Sequence, residues 1–295
     1  LDALVADVGD LAYLKWDANA NLLNLGCPSL DAAHQANFPF DYVKGLYELL
    51  GQLRARHPGL DIQSCASGGG RADYGFLRYA DEFWGSDDTD ARERVFIQWG
   101  ESLFFPAQAI GAHVTKAPYG DLARQTPLKY RFDVAMSCRF GFELAPSDLS
   151  ADEVAFARRC VADYKRLRPT IQQGDLYRLV SPYGHSYAAL MHVRKSRREA
   201  VVFVYGLTRS NWSDYPPPLV LEGLDPARRY AVSEINLPQG RGVHSEAVGK
   251  VVTGEGLMTM GVPFALKGDY DSLVLVLSEP TAQNEKVCSA QEAVR

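Results

Sequence analysis

The chain has 295 residues, a formal net charge of −5 and a pI near 5.7. Hydrophobic residues make up 46% of it and charged residues 23%, a balance typical of a globular protein with a sizeable core. Acidic residues outnumber basic ones and no long basic run occurs, so we expect no nucleic-acid partner. No run of about eighteen apolar residues is present, so we expect no membrane partner either.

The first half of the chain alternates short apolar strands with amphipathic helices, the pattern of βα units and parallel strand pairing. The predicted strands lie at residues 12–16, 60–65, 81–84, within 101–114 and at 139–144. The predicted helices lie at residues 41–57, 90–100, 127–138 and 150–167. Their signals are Asp41 as N-cap, Thr126 as the cap before Pro127, a capping box at Ser150, and Pro169 as a stop. About five such units indicate the second part of an α/β (β/α)8 barrel, with about three units missing at the front.

The sequence pattern changes after residue 170, where helical periodicity disappears and short β-rich runs recur between turn residues. These runs are residues 176–180, 187–193, 200–205, 219–221, 230–235, 250–253, 256–260 and 272–277. Such spacing indicates an all-β antiparallel sandwich. We therefore predict a partial barrel at residues 1–170, a β-sandwich at 171–283 and a polar tail at 284–295.

The five cysteines are widely spaced and form no CxxC pair, which indicates neither a disulfide framework nor a zinc site. They are Cys27, Cys65, Cys138, Cys160 and Cys288. We predict no metal, no cofactor and a cytoplasmic location. Because the sequence begins without Met, we expect an N-terminal portion to be missing, and a signal peptide lost with it stays an alternative.

The densest polar chemistry lies between residues 62 and 90. Three glycines, Gly68–Gly70, allow backbone N–H groups to approach a bound polar ligand, and Arg71 closes that loop. Asp87 follows one predicted strand, and Asp17 ends an earlier one. The carboxyl ends of barrel strands surround a common site, so these two aspartates are a candidate catalytic pair.

Two carboxyl groups at one site suit the cleavage of a glycosidic bond. Retention of configuration needs an ionised nucleophile and a protonated acid roughly 5 to 5.5 Å apart. Asp17 suits the first role, because Lys15 lies two residues earlier on the same face of the strand. Asp87 suits the second role, with the negative charge of Asp88 beside it. Asp90 is expected to begin the next helix.

Three short motifs, in this order along the chain, resemble those of glycoside hydrolase family 36. Residues 15–19 (KWDAN) resemble its KWDMN motif, with Ala18 in place of the Met. Its CxxGxxR loop is matched by Cys65, Gly68 and Arg71. Residues 86–90 (SDDTD) resemble its SDNTD motif, and three ordered motifs are far more specific than any single one.

The resemblance, which spans about residues 13–143, implies a retaining α-galactosidase that hydrolyses terminal α-D-galactosyl residues of oligosaccharides by double displacement. It implies that Asp17 is the nucleophile and Asp87 the acid/base. The galactose-binding residues that it implies are Lys15, Cys65 and Gly68, to which we add Arg71 as a candidate. The family's N-terminal sandwich and first barrel strands, which supply further galactose contacts, have no counterpart in this sequence. We expect the C-terminal part of such an enzyme, inactive alone and homo-oligomeric in full length.

Other interpretations stay open. An α-N-acetylgalactosaminidase requires room for an acetamido group near Cys65, and a non-catalytic carbohydrate-binding remnant would keep the motifs without activity. A phosphate-binding enzyme would use the glycine loop with Mg²⁺ on Asp87 and Asp88, although the loop lacks the Lys-Ser/Thr ending of a P-loop. Cys65 can be an inert thiol or a nucleophile, Arg71 can be structural, and Trp84 fits core packing.

Overall fold

The structure, a computed structural model, describes residues 2–19, 25–121, 123–208 and 216–281. The chain folds into two compact units, Leu1–Asp87 and Asp88–Arg295. The predicted polar tail and Cys288 lie outside the described residues. The domain boundary predicted near residue 170 falls within the second unit and stays a prediction.

The first unit is built on a three-stranded parallel sheet. Its elements are α1 (Asp2–Val8), β1 (Tyr13–Asp17), α2 (Phe38–Arg56), β2 (Asp61–Cys65) and β3 (Glu82–Phe83). Strand β2 lies between β1 and β3, with Asp17 opposite Cys65 and Ser64 opposite Phe83. Because the strands are parallel, all three end at the same edge of the sheet, as the predicted βα pattern requires.

Helix α2 begins earlier than the sequence pattern predicted. The N-cap is Asn37 and not Asp41, so the predicted start is wrong by one turn. Pro39 lies in the first turn, where a residue without an N–H leaves no intrahelical hydrogen bond unmade. Leu50 and Leu53 on the inner face of the helix are buried.

The second unit begins with alternating helices and parallel strands. Its elements are α3 (Ala91–Glu101), β4 (Gly111–Thr115), α4 (Leu128–Met136), β5 (Arg139–Glu143) and α5 (Ala151–Gln173). Strands β4 and β5 pair in parallel, so the five strands predicted before residue 170 are confirmed. Asp90 caps α3 by accepting from the N–H groups of Arg92 and Glu93, as predicted for a helix N-terminal residue.

Of the three remaining helix signals before residue 170, two are wrong and one is confirmed. Ser150 and Glu153 form the predicted capping box. Pro169 does not end α5, which continues to Gln173 because burial of the last turn, including Leu167 and Ile171, outweighs the lost hydrogen bond. Thr126 does not cap α4, whose N-cap position is taken by Pro127 without a side-chain hydrogen bond.

The remainder of the second unit is a six-stranded antiparallel sheet with one short helix. The elements are β6 (Asp175–Val180), β7 (Tyr187–Val193), β8 (Glu199–Gly206), β9 (Arg229–Ile235), β10 (Val251–Thr253), α6 (Gly254–Thr259) and β11 (Ser272–Ser278). The strand order is β10-β9-β11-β8-β7-β6. The predicted strand at 256–260 is wrong, because helix α6 occupies it, and the predicted strand at 219–221 is reduced to an isolated bridge between Leu219 and Val262.

Both faces of this sheet are buried, and each faces a different core. Alternate residues of β7, β8 and β11 pack with helices α3, α4 and α5 on one side, and with α6 and the connecting segments on the other. Asp133 of α4 is fully buried and accepts hydrogen bonds from Ser272 of β11 at 2.7 Å and from Asn236 at 2.6 Å. Apolar packing and buried hydrogen bonds therefore both join the helices to the sheet.

A buried histidine connects β9 to the segment before β11. His244 Nδ1 lies 2.5 Å from Glu234 Oε1, and its Nε2 lies 3.1 Å from Asp271 Oδ2. Burial lowers the pKa of His244, but hydrogen bonds to Asp271 and Glu234 outweigh it and raise the pKa to about 9. Burial raises the pKa of Asp271, but the hydrogen bond from His244 outweighs burial and lowers this pKa to about 2. The three side chains therefore form a charged cluster inside the fold.

Candidate active site

The candidate site lies at the carboxyl edge of the first unit's sheet. The side chains of Lys15 and Asp17 share one face of β1, where both are exposed. Below them, buried Glu82 accepts hydrogen bonds from Tyr13 Oη at 2.5 Å and from Gln63 Nε2 at 3.0 Å. These hydrogen bonds join side chains of all three strands and so hold the strands in place next to the candidate site.

The Asp17 carboxylate is held by a residue that the sequence prediction omitted. Asn19 Nδ2 donates to Asp17 Oδ2 at 3.0 Å, while Asn19 Oδ1 accepts from the N–H of Ser67 at 2.7 Å. The N–H of Ala18 also donates to the carbonyl of Cys65 at 3.1 Å, extending the β1–β2 pairing. Asn19 thus links the end of β1 to the glycine loop, and its place in the KWDAN motif was the available signal.

The Cys65 thiol lies among the other predicted site residues. Burial raises the pKa of this thiol, the N–H of Gly68 acts in the opposite direction, and a hydrogen bond to Asp17 raises the pKa further. Lys15 is close enough for its charge to contribute. A raised pKa keeps the sulfur as a neutral thiol, which argues against the alternative that Cys65 is a nucleophile.

The glycine loop packs directly under the chain that leads to Asp87. Gly68 has φ +83°, and a Cβ there would lie 2.8 Å from Ser86 Cα. A Cβ on Gly69 would lie 2.9 Å from the carbonyl oxygen of Gly85. Gly68 and Gly69 therefore occur here because the two backbone segments approach too closely for side chains, whereas a Cβ on Gly70 would lie 2.6 Å from the carbonyl oxygen of Ala66 within the loop.

We expect Gly68→Ala to destabilise the protein more than a glycine substitution that introduces strain alone. Gly9 has a similar φ of +79° but no atom within 4 Å of an added Cβ, so Gly9→Ala measures the cost of φ without a clash. The clash should add about 1–3 kcal/mol to the loss in free energy of unfolding. Denaturant unfolding of both variants tests this, and equal losses would contradict the close packing of the glycine loop against Gly85 and Ser86.

Asp87 is held by the side chain of Trp84, a residue slightly earlier in the chain. Trp84 Nε1 donates to Asp87 Oδ1 at 3.1 Å, and Lys15 Nζ lies 4.9 Å from the centre of the Trp84 ring. Trp84 is 1% exposed, so the interpretation of this residue as core packing is accurate but incomplete. The sequence prediction missed its polar contact.

Arg71 lies at the far end of the glycine loop. Its Nη2 donates to the hydroxyl of Tyr42 in α2 at 3.0 Å, and its Nη1 is buried without a hydrogen-bond partner among the described residues. The structure thus places Asp17, the N–H of Gly68 and the charge of Lys15 around the Cys65 thiol, and it connects Asp87 to Lys15 through Trp84. The roles assigned to these residues stay predictions.

Within the described part of the chain, no group of three His, Cys, Asp or Glu residues could hold a metal ion. The alternative with Mg²⁺ on Asp87 and Asp88 stays a prediction. Asp88 accepts a hydrogen bond from the N–H of Asp90 at 2.9 Å. None of the described helices is both long and apolar enough to span a bilayer.

Comparison of the sequence with models of protein families identifies the family to which the chain belongs. Residues 1–174 match the family model named Melibiase, and residues 187–277 match the model of the glycosyl hydrolase family 36 C-terminal domain. The first match alone covers more than half of the chain. The chain belongs to the melibiase family. The second match agrees with the family 36 membership that the three motifs predicted.

Members of this family that resemble the chain are longer than it is. Alpha-galactosidase 2 of Hypocrea jecorina is 35% identical over 272 residues, covering 92% of this chain and 33% of the relative. Alpha-galactosidase 1 of Pediococcus pentosaceus is 38% identical over 222 residues, covering 74% of this chain and 30% of the relative. The chain therefore spans about a third of the length of these relatives, in agreement with the expectation that it corresponds to one part of such an enzyme.

Solved structures of family 36 α-galactosidases superpose on the chain. The family 36 α-galactosidase AgaB from Geobacillus stearothermophilus matches with a TM-score of 0.84 and 34% identity, covering 94% of this chain and 36% of that one. A variant of AgaA from the same organism, in complex with raffinose, matches with a TM-score of 0.83 and 33% identity, covering 94% and 37%. The antiparallel C-terminal sheet is thus part of a family 36 fold.

Proposed function

We propose that this chain is part of a retaining α-galactosidase, with Asp17 as the nucleophile and Asp87 as the acid/base. The observation that carries the proposal is the position of both carboxylates at the carboxyl edge of one parallel sheet, since Asp17 is the last residue of β1 and Asp87 follows the end of β3. The Cys65 thiol hydrogen-bonds Asp17 and interacts with the N–H of Gly68 and the charge of Lys15, which are the residues of the family motifs.

We infer that the parallel strands belong to a (β/α)8 barrel and the antiparallel sheet to a β-sandwich. Sheets β1-β2-β3 and β4-β5 are each parallel and each strand is followed or preceded by a helix, which supports the barrel. In such barrels the active site lies at the carboxyl ends of the strands, where Asp17 and Asp87 are found.

The chemistry of double displacement assigns each group a step. The Asp17 carboxylate, oriented by Asn19, attacks the anomeric carbon while Asp87 protonates the leaving oxygen. Asp87 then removes a proton from the water that releases galactose. Lys15 and the N–H groups of the glycine loop are available to bind sugar hydroxyls, because ammonium and backbone N–H groups are donors.

We propose an oligosaccharide with a terminal α-galactosyl group as the substrate. The AgaA variant in complex with raffinose and another in complex with stachyose support this class of substrate. The expected homo-oligomer and the expected cytoplasmic location stay predictions.

Release of galactose from raffinose tests the proposal, followed by the anomeric form of the product. The assay uses this chain alone and as part of the longest natural reading frame that contains it. We expect NMR to detect α-galactose first, because two displacements restore the original configuration. Early β-galactose would indicate inversion, and no galactose from either form would refute the proposed activity.

A further inference from the structure

Trp84 contacts two charged groups of the candidate site at once. Its indole N–H donates to Asp87, and the Lys15 ammonium lies over its ring. The indole is almost fully buried, whereas Asp87 and Lys15 are exposed. One fixed ring therefore contacts both a proposed catalytic carboxyl and a proposed substrate-binding cation.

The backbone of Trp84 is fixed by the sheet. Its N–H donates to the carbonyl of Ser64 at 2.9 Å, which continues the β2–β3 pairing by one residue. Two elements therefore restrain the ring: the sheet through its backbone, and Lys15 through its face. Because an indole N–H can only donate, burying it without an acceptor is costly, and in this site the acceptor is Asp87 Oδ1.

Asp87 itself lies outside any helix or strand. The backbone of the preceding residues, Gly85 and Ser86, runs close to that of the glycine loop. An exposed side chain on such a segment has several rotamers, and ordering it costs conformational entropy. The hydrogen bond from Trp84 selects one of them before substrate arrives.

We propose that Trp84 is a positioning residue of the acid/base. With Oδ1 of Asp87 accepting from the indole, the carboxyl proton resides on Oδ2, because the oxygen without the proton is the better acceptor. In the first step this proton passes to the glycosidic oxygen as its bond to the anomeric carbon breaks and Asp17 forms a bond to that carbon. The inference rests on the proposed function, in which Asp87 is the acid/base.

The test compares two substrates that differ in their need for an acid. Raffinose has a sugar leaving group that must be protonated, whereas the leaving group of 2,4-dinitrophenyl α-galactoside departs without a proton. For Trp84→Phe we expect kcat/KM to fall about 10- to 100-fold for raffinose and less than about threefold for the dinitrophenyl substrate. The ratio of the two kcat/KM values reports acid catalysis in the first step. A loss of folded protein lowers both values equally and leaves their ratio unchanged.

Trp99→Phe is the matched control, because Trp99 is a buried tryptophan in the core formed around α3. It should lower both values of kcat/KM equally or leave them unchanged. If Trp84→Phe does not fold, 3-benzothienylalanine at position 84 removes only the N–H and keeps the shape of the ring. An unchanged ratio in either Trp84 variant overturns the inference. If the wild-type protein hydrolyses neither substrate, either as this chain alone or within the longest natural reading frame that contains it, the proposed function is overturned and this inference with it.

Discussion

Replacing Asp17 by alanine is expected to abolish hydrolysis of every α-galactoside, whatever its leaving group. With Asp17 as the proposed nucleophile, no covalent intermediate forms without its carboxylate, and removal of a nucleophile lowers kcat by about 10⁴-fold or more. Asp87→Ala should behave differently, because removal of a general acid costs about 10²–10⁴-fold only where the leaving group needs a proton. The assays are those of raffinose and dinitrophenyl α-galactoside, with the protein in the form that is active.

Asp7→Ala is the control for both substitutions, because Asp7 is an exposed aspartate of α1 in the same unit. It should retain full activity and nearly full stability. An Asp17→Ala protein that still cleaves the activated substrate would reject Asp17 as the nucleophile. Equal losses of Asp87→Ala on both substrates would reject Asp87 as the acid, even if the enzyme is an α-galactosidase.

His244→Ala is expected to destabilise the second unit strongly. It leaves Glu234 and Asp271 without the cation between them, and removal of one partner from a buried ion pair costs about 3–5 kcal/mol. Denaturant unfolding at pH 6 measures the loss. His185→Ala is the control, because His185 is exposed, and its cost should stay within about 0.5 kcal/mol.

The same cluster predicts how stability depends on pH. The pKa of His244 is about 9 in the folded protein against an ordinary value of 6.5, so the folded state binds the proton more tightly. Its contribution is complete below pH 6.5 and disappears as the pH rises through about 9, a loss of about 3 kcal/mol. Wild-type protein should show this decline and His244→Ala should not; parallel profiles would contradict the charged cluster.

Local patterns were sufficient for most of the fold. Alternation and capping residues located all five parallel strands and the start of α5 at Ser150, because these signals act within a few residues. These local signals failed where tertiary packing determines the secondary structure. Pro169 lies inside α5 because the buried end of that helix holds it, and the helix at Gly254–Thr259 is too short for its periodicity to differ from that of a strand.

The candidate site was predicted in part for a similar reason. The motifs contained Asp17 and Cys65, and the parallel register sets these two residues side by side. The contribution of Asn19 depends on where its amide points, and that of Trp84 on a hydrogen bond from a buried ring to an exposed loop. Neither orientation is encoded in residue spacing, so only coordinates could reveal them.

The sheet of β6–β11 has a consequence for how this protein could have changed over time. One of its faces is completed by α3, α4 and α5, and Asp133 ties α4 to β11. A duplication or recombination event that separated these helices from the sheet would expose apolar surface on both products. The two parts are therefore expected to be inherited together, and variation in this unit should accumulate in the connecting segments at its surface.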